Sequence, residues 1–178
     1  MDTPDETLAE AAASGDRDAF AALLARHYDR IFGLTYRLTG NHAEAQDLTQ
    51  DICLSLPAKL RNWRGEARFT TWLYRVTINA THDHRRRQTT RSRAAIGWGD
   101  WELSRQDAMT EDRENQTWLQ TAMARLPSDL RDTVALVLGE DLTQAEAAAI
   151  LGLSEGTIAW RMSEVKKRLR AIAAEEAK

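Results

Sequence analysis

Cysteine is almost missing from this chain: Cys53 is the only one. One thiol closes no internal disulfide and builds no cysteine metal site. It lies beside an apolar helical stripe, so it reads as a buried thiol rather than a redox sensor. Only three prolines interrupt the chain. Long alternating β-branched runs are absent, which removes the usual signature of strands. No apolar run approaches the ~20 residues of a membrane span. The N-terminus is acidic and lacks an apolar core, so no signal peptide is expected. These absences predict a soluble, cytoplasmic, all-α protein with no membrane span. Signatures of chemistry are missing as well: no P-loop, no G-x-S-x-G, no glycine-rich phosphate cradle after a strand. Of the four histidines, His27, His42, His82 and His84, the last two are two residues apart and face different ways on a helix. Metal pairs prefer i, i+4, so neither a metal nor another cofactor is expected. Carboxylates are many, but none forms a marked acid–base pair; they read as helix-surface charge. Nothing speaks for an enzyme.

Present instead are 178 residues, 43% of them hydrophobic. That is enough for one domain or two small ones with real cores. The formal net charge is −3, whereas nucleic-acid binders are usually basic. The charge is unevenly placed, however. Asp2, Asp5, Glu6, Glu10 and Asp16 meet no Lys or Arg in their stretch. Arg85, Arg86, Arg87, Arg91 and Arg93 form a run with no acid inside it, and Lys166, Lys167, Arg168 and Arg170 form another. Local patches, not the sum, set phosphate attraction.

Helical period runs through most of the chain. Leu8 to Ser14 reads as a short helix ending at Gly15. From Asp18, residues Phe20, Leu23, Leu24, His27, Tyr28, Ile31, Phe32 and Leu38 keep i, i+3, i+4 spacing up to Gly40, a C′ glycine. Asn41 and Glu44 have capping-box spacing and restart a helix. Its buried face is Ala45, Leu48, Ile52 and Leu56. Asp47, Gln50 and Leu54 point away, with Asp51 flanking, and Pro57 bends or ends the helix. That outward face is either a solvated acidic surface or, given Leu54 among the acids, a partner surface. A third helix begins near Phe69 and buries Phe69, Trp72, Leu73, Val76 and Ala80. Opposite lie Thr71, Tyr74, Arg75, Ile78, Thr81, His82 and Arg85, and Asn79 falls toward the buried edge. Aromatics beside cations suit unpaired bases and their phosphates; the alternative is packing on another helix. Gln88 to about Asp112 loses its period and reads as a linker, in which Trp98 and Trp101 dock on a domain or a partner. Glu114 to Arg125 is helical, with Trp118, Leu119 and Met123 buried or half-buried. After Pro127, Ser128 caps a helix whose apolar face is Leu130, Val134, Val137 and Leu138, closed by Gly139.

Thr143 to Arg170 carries the densest signal. Gln144, Ala148, Gly152 and Ile158 fall at helix-turn-helix offsets. Ala148 lets two helices approach, Gly152 tolerates a left-handed turn, and Ile158 anchors the second helix on the first. Thr143 with Glu146 has capping-box spacing, and Ser154 is placed as a cap. Such a unit lays its second helix in the DNA major groove; the alternative is a helical hairpin within an ordinary core. The expected architecture is two small helical bundles joined by a flexible linker: residues 1–87, a linker over 88–112, and 113–178 with the helix-turn-helix.

Three segments resemble one family. Asn41 to Asp51, NHAEAQDLTQD, resembles the polymerase-binding segment of bacterial sigma factors. Phe69 to Arg87, FTTWLYRVTINATHDHRRR, resembles their promoter-melting helix. Leu126 to Arg170 resembles their last domain. Together they resemble the extracytoplasmic-function sigma factors of the sigma-70 family, which keep only sigma regions 2 and 4. The resemblance implies a protein that binds core RNA polymerase, directs it to promoter DNA and helps open the duplex. It implies an anti-sigma factor that holds the protein inactive until a stress signal. Asp47, Gln50, Asp51 and Leu54 would meet the polymerase clamp helices. Tyr74, Arg75, Asn79, His82, Arg85 and Arg86 would meet the minus-ten element. Ser154 to Lys167, through Thr157, Trp160, Arg161, Ser163 and Lys167, would meet the minus-thirty-five element. The linker would thread toward the active-site channel. The recognition helix departs from the family: Gly156, Trp160 and Ser163 face outward, with Glu164 beside them, so an altered minus-thirty-five code is expected. Trp160 offers no bidentate hydrogen bond to a base, and its burial against the first domain in the free protein is a further expectation. Competing readings are a conventional helix-turn-helix regulator using the last domain alone, and a polymerase-binding adaptor that reads no DNA.

Overall fold

The computed structural model describes residues 3–96 and 118–176. Trp98, Trp101 and most of the expected linker lie outside them. Among the described residues the elements are α1 (Asp5–Ala13), α2 (Arg17–Thr39), α3 (His42–Leu60), α4 (Phe69–Ile96), α5 (Trp118–Arg125) and α6 (Ser128–Val134). A π-type turn follows over Ala135–Gly139, then α7 (Gln144–Leu151) and α8 (Glu155–Glu176). None of these helices is long and apolar enough to cross a membrane.

Local chemistry sets most of the boundaries. Asp16 caps α2 by accepting from the Asp18 and Ala19 amides at 2.9 and 3.0 Å. Gly40 ends α2 in the left-handed region at φ 72°. Asn41 caps α3 by accepting from the Glu44 amide at 2.9 Å. Glu44 itself turns to His84, 3.0 Å away, so only half of a capping box forms. Two expected boundaries move. Pro57 does not end α3, which runs through it to Leu60. Leu56 and Leu60 are both in the core, and their burial outweighs the ~3 kcal/mol that an interior proline costs. The helix begun at Phe69 does not stop at Arg87; it continues to Ile96, because no glycine or proline occurs before Gly97 and the intervening Arg, Gln and Ala favour helix.

The first bundle packs α1 to α4 around Leu23, Ile31, Leu48, Ile52, Leu56, Leu60, Phe69 and Leu73. The N-terminal helix is tied down by Asp5, which bonds Arg26 at 2.9 Å and His27 at 2.7 Å. Glu6 accepts from the Phe69 amide at 3.2 Å, satisfying an otherwise orphaned donor at the start of α4.

The second core is not confined to α5–α8. It joins Leu126, Leu130, Leu136, Ala147, Ile158 and Val165 to Leu34 and Leu38 of α2 and to Tyr74 and Ile78 of α4. The two bundles therefore share one apolar cluster. The apolar face of α6 is also rotated from the expected one: Leu136 is fully buried and Leu138 is 67% exposed. The π-type turn widens the helix there, carrying Leu136 inward and Leu138 outward.

Candidate nucleic-acid and polymerase interfaces

On α3, Asp47, Gln50 and Asp51 are exposed, and Leu54 is 73% exposed. This is the outward face that the period indicated. Leu54 borders an open depression lined by Phe20, Leu24, Tyr28, Gln46, Gln50, Cys53 and Pro57. Cys53 is half-buried, and burial raises its thiol pKa, which keeps it protonated and unreactive.

The helix-turn-helix has the expected construction. Thr143 and Glu146 form a reciprocal capping box, and that pairing lowers the Glu146 pKa, chiefly through the Thr143 amide. Gly152 takes the left-handed turn at φ 67°, and Ser154 accepts from the Thr157 amide at 3.1 Å. Ala148 and Ile158 are buried where the helices cross. On α8 the side chains of Ser163 and Lys167 are exposed, and Thr157 is half-buried. Trp160 is 61% exposed, so it is not buried against the first domain as expected. Arg161 turns inward to Asp129, 3.7 Å from its carboxylate and 3.3 Å from its carbonyl.

The minus-ten candidates on α4 divide into two groups. Tyr74 and Ile78 are buried in the shared core. The Tyr74 hydroxyl donates to Glu140 at 2.8 Å, and burial first, then Glu140, raises its pKa well above the usual phenol value. Arg75 donates to the Ala149 carbonyl at 3.1 Å. His82 lies 2.5 Å from Asp132. That hydrogen bond raises the His82 pKa against the opposing effect of burial. Arg85 donates to the Leu38 carbonyl and has its other Nη 3.9 Å from Asp132. The second group is open. Arg86 is exposed beside Asp83 at 3.1 Å. Asn79 is exposed, not turned to the buried edge as the wheel indicated, and lines a groove with Ser55, Lys59, His84 and Arg87.

The seam between the bundles thus uses residues that sequence reasoning missed. Glu140 receives Arg37, Tyr74 and, at 3.8 Å, Arg30. Arg131 and Arg85 both donate to the Leu38 carbonyl at the end of α2, where unpaired carbonyls favour cations. Burial, then repulsion from Arg85, lowers the Arg131 pKa. Gly139 permits the Arg37 contact, since a Cβ there would come within 2.7 Å of the Arg37 Cδ. No signal along the chain flags these partners, which lie from 47 (Arg85 and Leu38) to 110 (Arg30 and Glu140) residues apart. Burial favours closure by up to about 1.5–3 kcal/mol for each of Leu38 and Ile78. Against this, Gln120 Oε1 is buried without a hydrogen-bond partner, costing about 1–3 kcal/mol, and Arg85 Nη1 and Asp132 Oδ1 face each other at 3.9 Å, too far for a hydrogen bond. A cavity of about 270 Å³ lined by Leu38, Leu119, Met123 and Leu138 opens at the seam. Trp118 and Leu119, expected to be buried or half-buried, are exposed.

Known proteins resemble this chain along most of its length. The family model for Sigma-70 region 2 matches residues 23–91, and that for Sigma-70, region 4 matches residues 116–169. The RNA polymerase sigma-H factor of Pseudomonas aeruginosa is 32% identical over 93% of this chain and 91% of its own length. The ECF RNA polymerase sigma factor SigM of Mycobacterium tuberculosis is 32% identical, over 93% of this chain and 82% of that protein. The solved structure of CnrH in complex with the cytosolic domain of CnrY superposes with a TM-score of 0.70 at 25% identity, covering 96% of this chain and 97% of that one.

Proposed function

Because the chain belongs to the extracytoplasmic-function group of sigma-70 RNA polymerase sigma factors, we propose that it binds core RNA polymerase and directs promoter-specific initiation. The observation that carries this is the order of the matches: region 2 is followed along the chain by region 4, and a relative in the same family is matched over 93% of this chain. The reading gives the protein a cytoplasmic place of action, no cofactor and no chemistry of its own.

Asp47, Gln50, Asp51 and Leu54 form the polymerase-binding face, which their exposure supports. A leucine held in water among acids is a natural interface anchor. Tyr74, Arg75, Asn79, His82, Arg85 and Arg86 engage the minus-ten element, with the ring for bases and the cations for phosphates. Thr157, Trp160, Ser163 and Lys167 face the minus-thirty-five duplex, and Arg161 buttresses the helix through Asp129. Trp160 contacts a thymine methyl more naturally than a base edge. An inhibitory protein partner of the anti-sigma type is also part of this reading. The exposed Trp118, Leu119 and Leu138 support it, as does the capture of CnrH with a bound protein domain.

Transcription from genomic fragments with purified core polymerase tests the reading. Added protein is expected to produce promoter-specific starts, and none from any fragment would sink it. In the same assay, replacing Arg85 and Arg86 with Ala should reduce promoter opening about tenfold or more, as the loss of two phosphate contacts implies. An unchanged rate would remove α4 from the melting step.

A further inference from the structure

We infer that α8 reads the minus-thirty-five duplex through a thymine methyl, which enters a notch at Gly156 and packs on the Trp160 indole, and not through hydrogen bonds to base edges. This deepens the reading of α8 as the duplex-facing helix and rests on it. The face that α8 turns to solvent is narrow. At about 100° per residue, Gly156, Trp160, Ser163 and Lys167 form one stripe. It lies opposite the buried Ile158, Met162 and Val165, and all four of its members are exposed. Trp160 is the one large apolar group in that stripe, with 61% of it in water.

The stripe is poor in the groups that direct readout uses. It holds no Arg, Asn or Gln, the side chains that grip a guanine or adenine edge with two bonds. Ser163 offers a single hydroxyl. Lys167 has the reach for a guanine, but the Glu164 carboxylate stands 3.9 Å from its ammonium and competes with the base. Arg161 is drawn inward, 3.3 Å from the Asp129 carbonyl and 3.5 Å from the Thr133 hydroxyl. The remaining cations flank the stripe: Lys166 and Arg170 on one edge and Arg168 on the other, all exposed. Those positions suit phosphates on the two walls of the groove, which hold the helix in register without reading sequence. Discrimination between bases is left to apolar contact.

Gly156 supplies the second half of the site. It is the second residue of α8, and its backbone is not left-handed. A Cβ there would meet only the Ser154 Oγ, at 3.8 Å, which is an ordinary contact. Neither the backbone nor the packing requires a glycine, and a glycine in a helix is less stable than an alanine. The empty place lies one turn before Trp160, on the side toward which helical side chains lean. A notch with bare backbone as its floor and an indole as its wall matches a methyl group projecting into the major groove. Of the four bases only thymine carries one.

The test uses holoenzyme assembled from the full chain and core polymerase, with duplexes that it selects from a library randomised over the minus-thirty-five region. Each thymine of the selected element is replaced singly by deoxyuridine, which removes the methyl and keeps every hydrogen-bonding group. One such replacement is expected to weaken duplex binding about fourfold, the loss of one buried methyl. At that position a 5-methylcytosine pair should bind about fourfold better than a cytosine pair, because the methyl returns on a different hydrogen-bonding edge. Trp160→Ala should abolish the thymine–uracil difference with unchanged helical content. Gly156→Ala should abolish it too while raising the unfolding midpoint, since it fills the notch and favours the helix. Opposite signs in binding and stability separate this from a folding defect. The proposal is overturned if no thymine is selected, if deoxyuridine is tolerated at every position, or if 5-methylcytosine gains nothing. It is equally overturned if the thymine–uracil difference survives in Trp160→Ala. Failure of the underlying reading looks different: the library then yields no upstream element at all, whereas failure of methyl reading alone yields an element whose bases are recognised without their methyls.

Discussion

Thr35 and Thr49 meet between α2 and α3 with their hydroxyl oxygens 2.9 Å apart, both fully buried. Thr35→Val leaves the Thr49 hydroxyl without this partner and is expected to cost about 1–3 kcal/mol in denaturant unfolding. Replacing both with Val should cost less than the single change, since no polar group is then stranded. Residue chemistry and residue position separate at the functional faces. Leu54 was legible as an outward apolar residue because the period of α3 is clean, and it is exposed. Leu54→Asp should therefore leave the fold intact and weaken core polymerase binding about tenfold in a competition assay, a typical anchor loss. Trp160 was legible as outward on α8, but its expected burial against the first domain required a seam geometry that no residue carries. Gly139 shows the reverse: nothing in its surroundings along the chain marks it, yet it gives Arg37 room to reach Glu140. Gly139→Ala should displace that flexible side chain and loosen the seam, seen as a longer inter-domain distance with unchanged helical content.

Elements whose ends carry local chemistry were readable. Asn41, Thr143 and Ser154 each hold an amide at a helix start, and such pairing needs only neighbours in sequence. The helix-turn-helix belongs here too, because its turn is set by one left-handed residue. Gly152→Ala is expected to cost about 1–2 kcal/mol, the left-handed penalty for a residue with a Cβ, read as a lower unfolding midpoint. Elements decided by packing were not readable. Pro57 is carried inside α3 because Leu56 and Leu60 are buried around it. The π-type turn after α6 reversed the exposure of Leu136 and Leu138, and a single widened turn leaves no trace in a periodic pattern. The end of α4 failed for another reason: polar helix formers after Arg87 lack an amphipathic stripe yet still continue the helix.

At the scale of the whole molecule, two bundles are held by different means. The N-terminal helix is bound by charge: burial alone would raise the Asp5 pKa, but hydrogen bonds from Arg26 and His27 lower it. A lowered carboxylate contributes above its ordinary value of 3.8 and loses that contribution as pH falls through its docked value. Amide exchange in α1 should therefore quicken at pH below 3.8 before the rest of the first bundle responds, and simultaneous loss of all protection would contradict this. The seam depends instead on a shared apolar cluster and on contacts between residues as far apart as Arg37 and Glu140. By itself the sequence determined the all-α class, the caps at Asn41, Thr143 and Ser154, the helix-turn-helix, the outward faces of α3 and α8, and the family; the cap expected at Ser128 does not form, since Pro127 takes that position without a side-chain bond. All of these rest on periodicity and on groups a few residues apart, which one-dimensional order preserves. Only the tertiary structure decided that the Tyr74–Arg85 face of α4 lies against the second bundle rather than in water. That same face is aromatic, apolar and cationic, so its chemistry suits an unpaired strand and a carboxylate-bearing helix pair alike; the choice between them depends on where the two bundles stand in space.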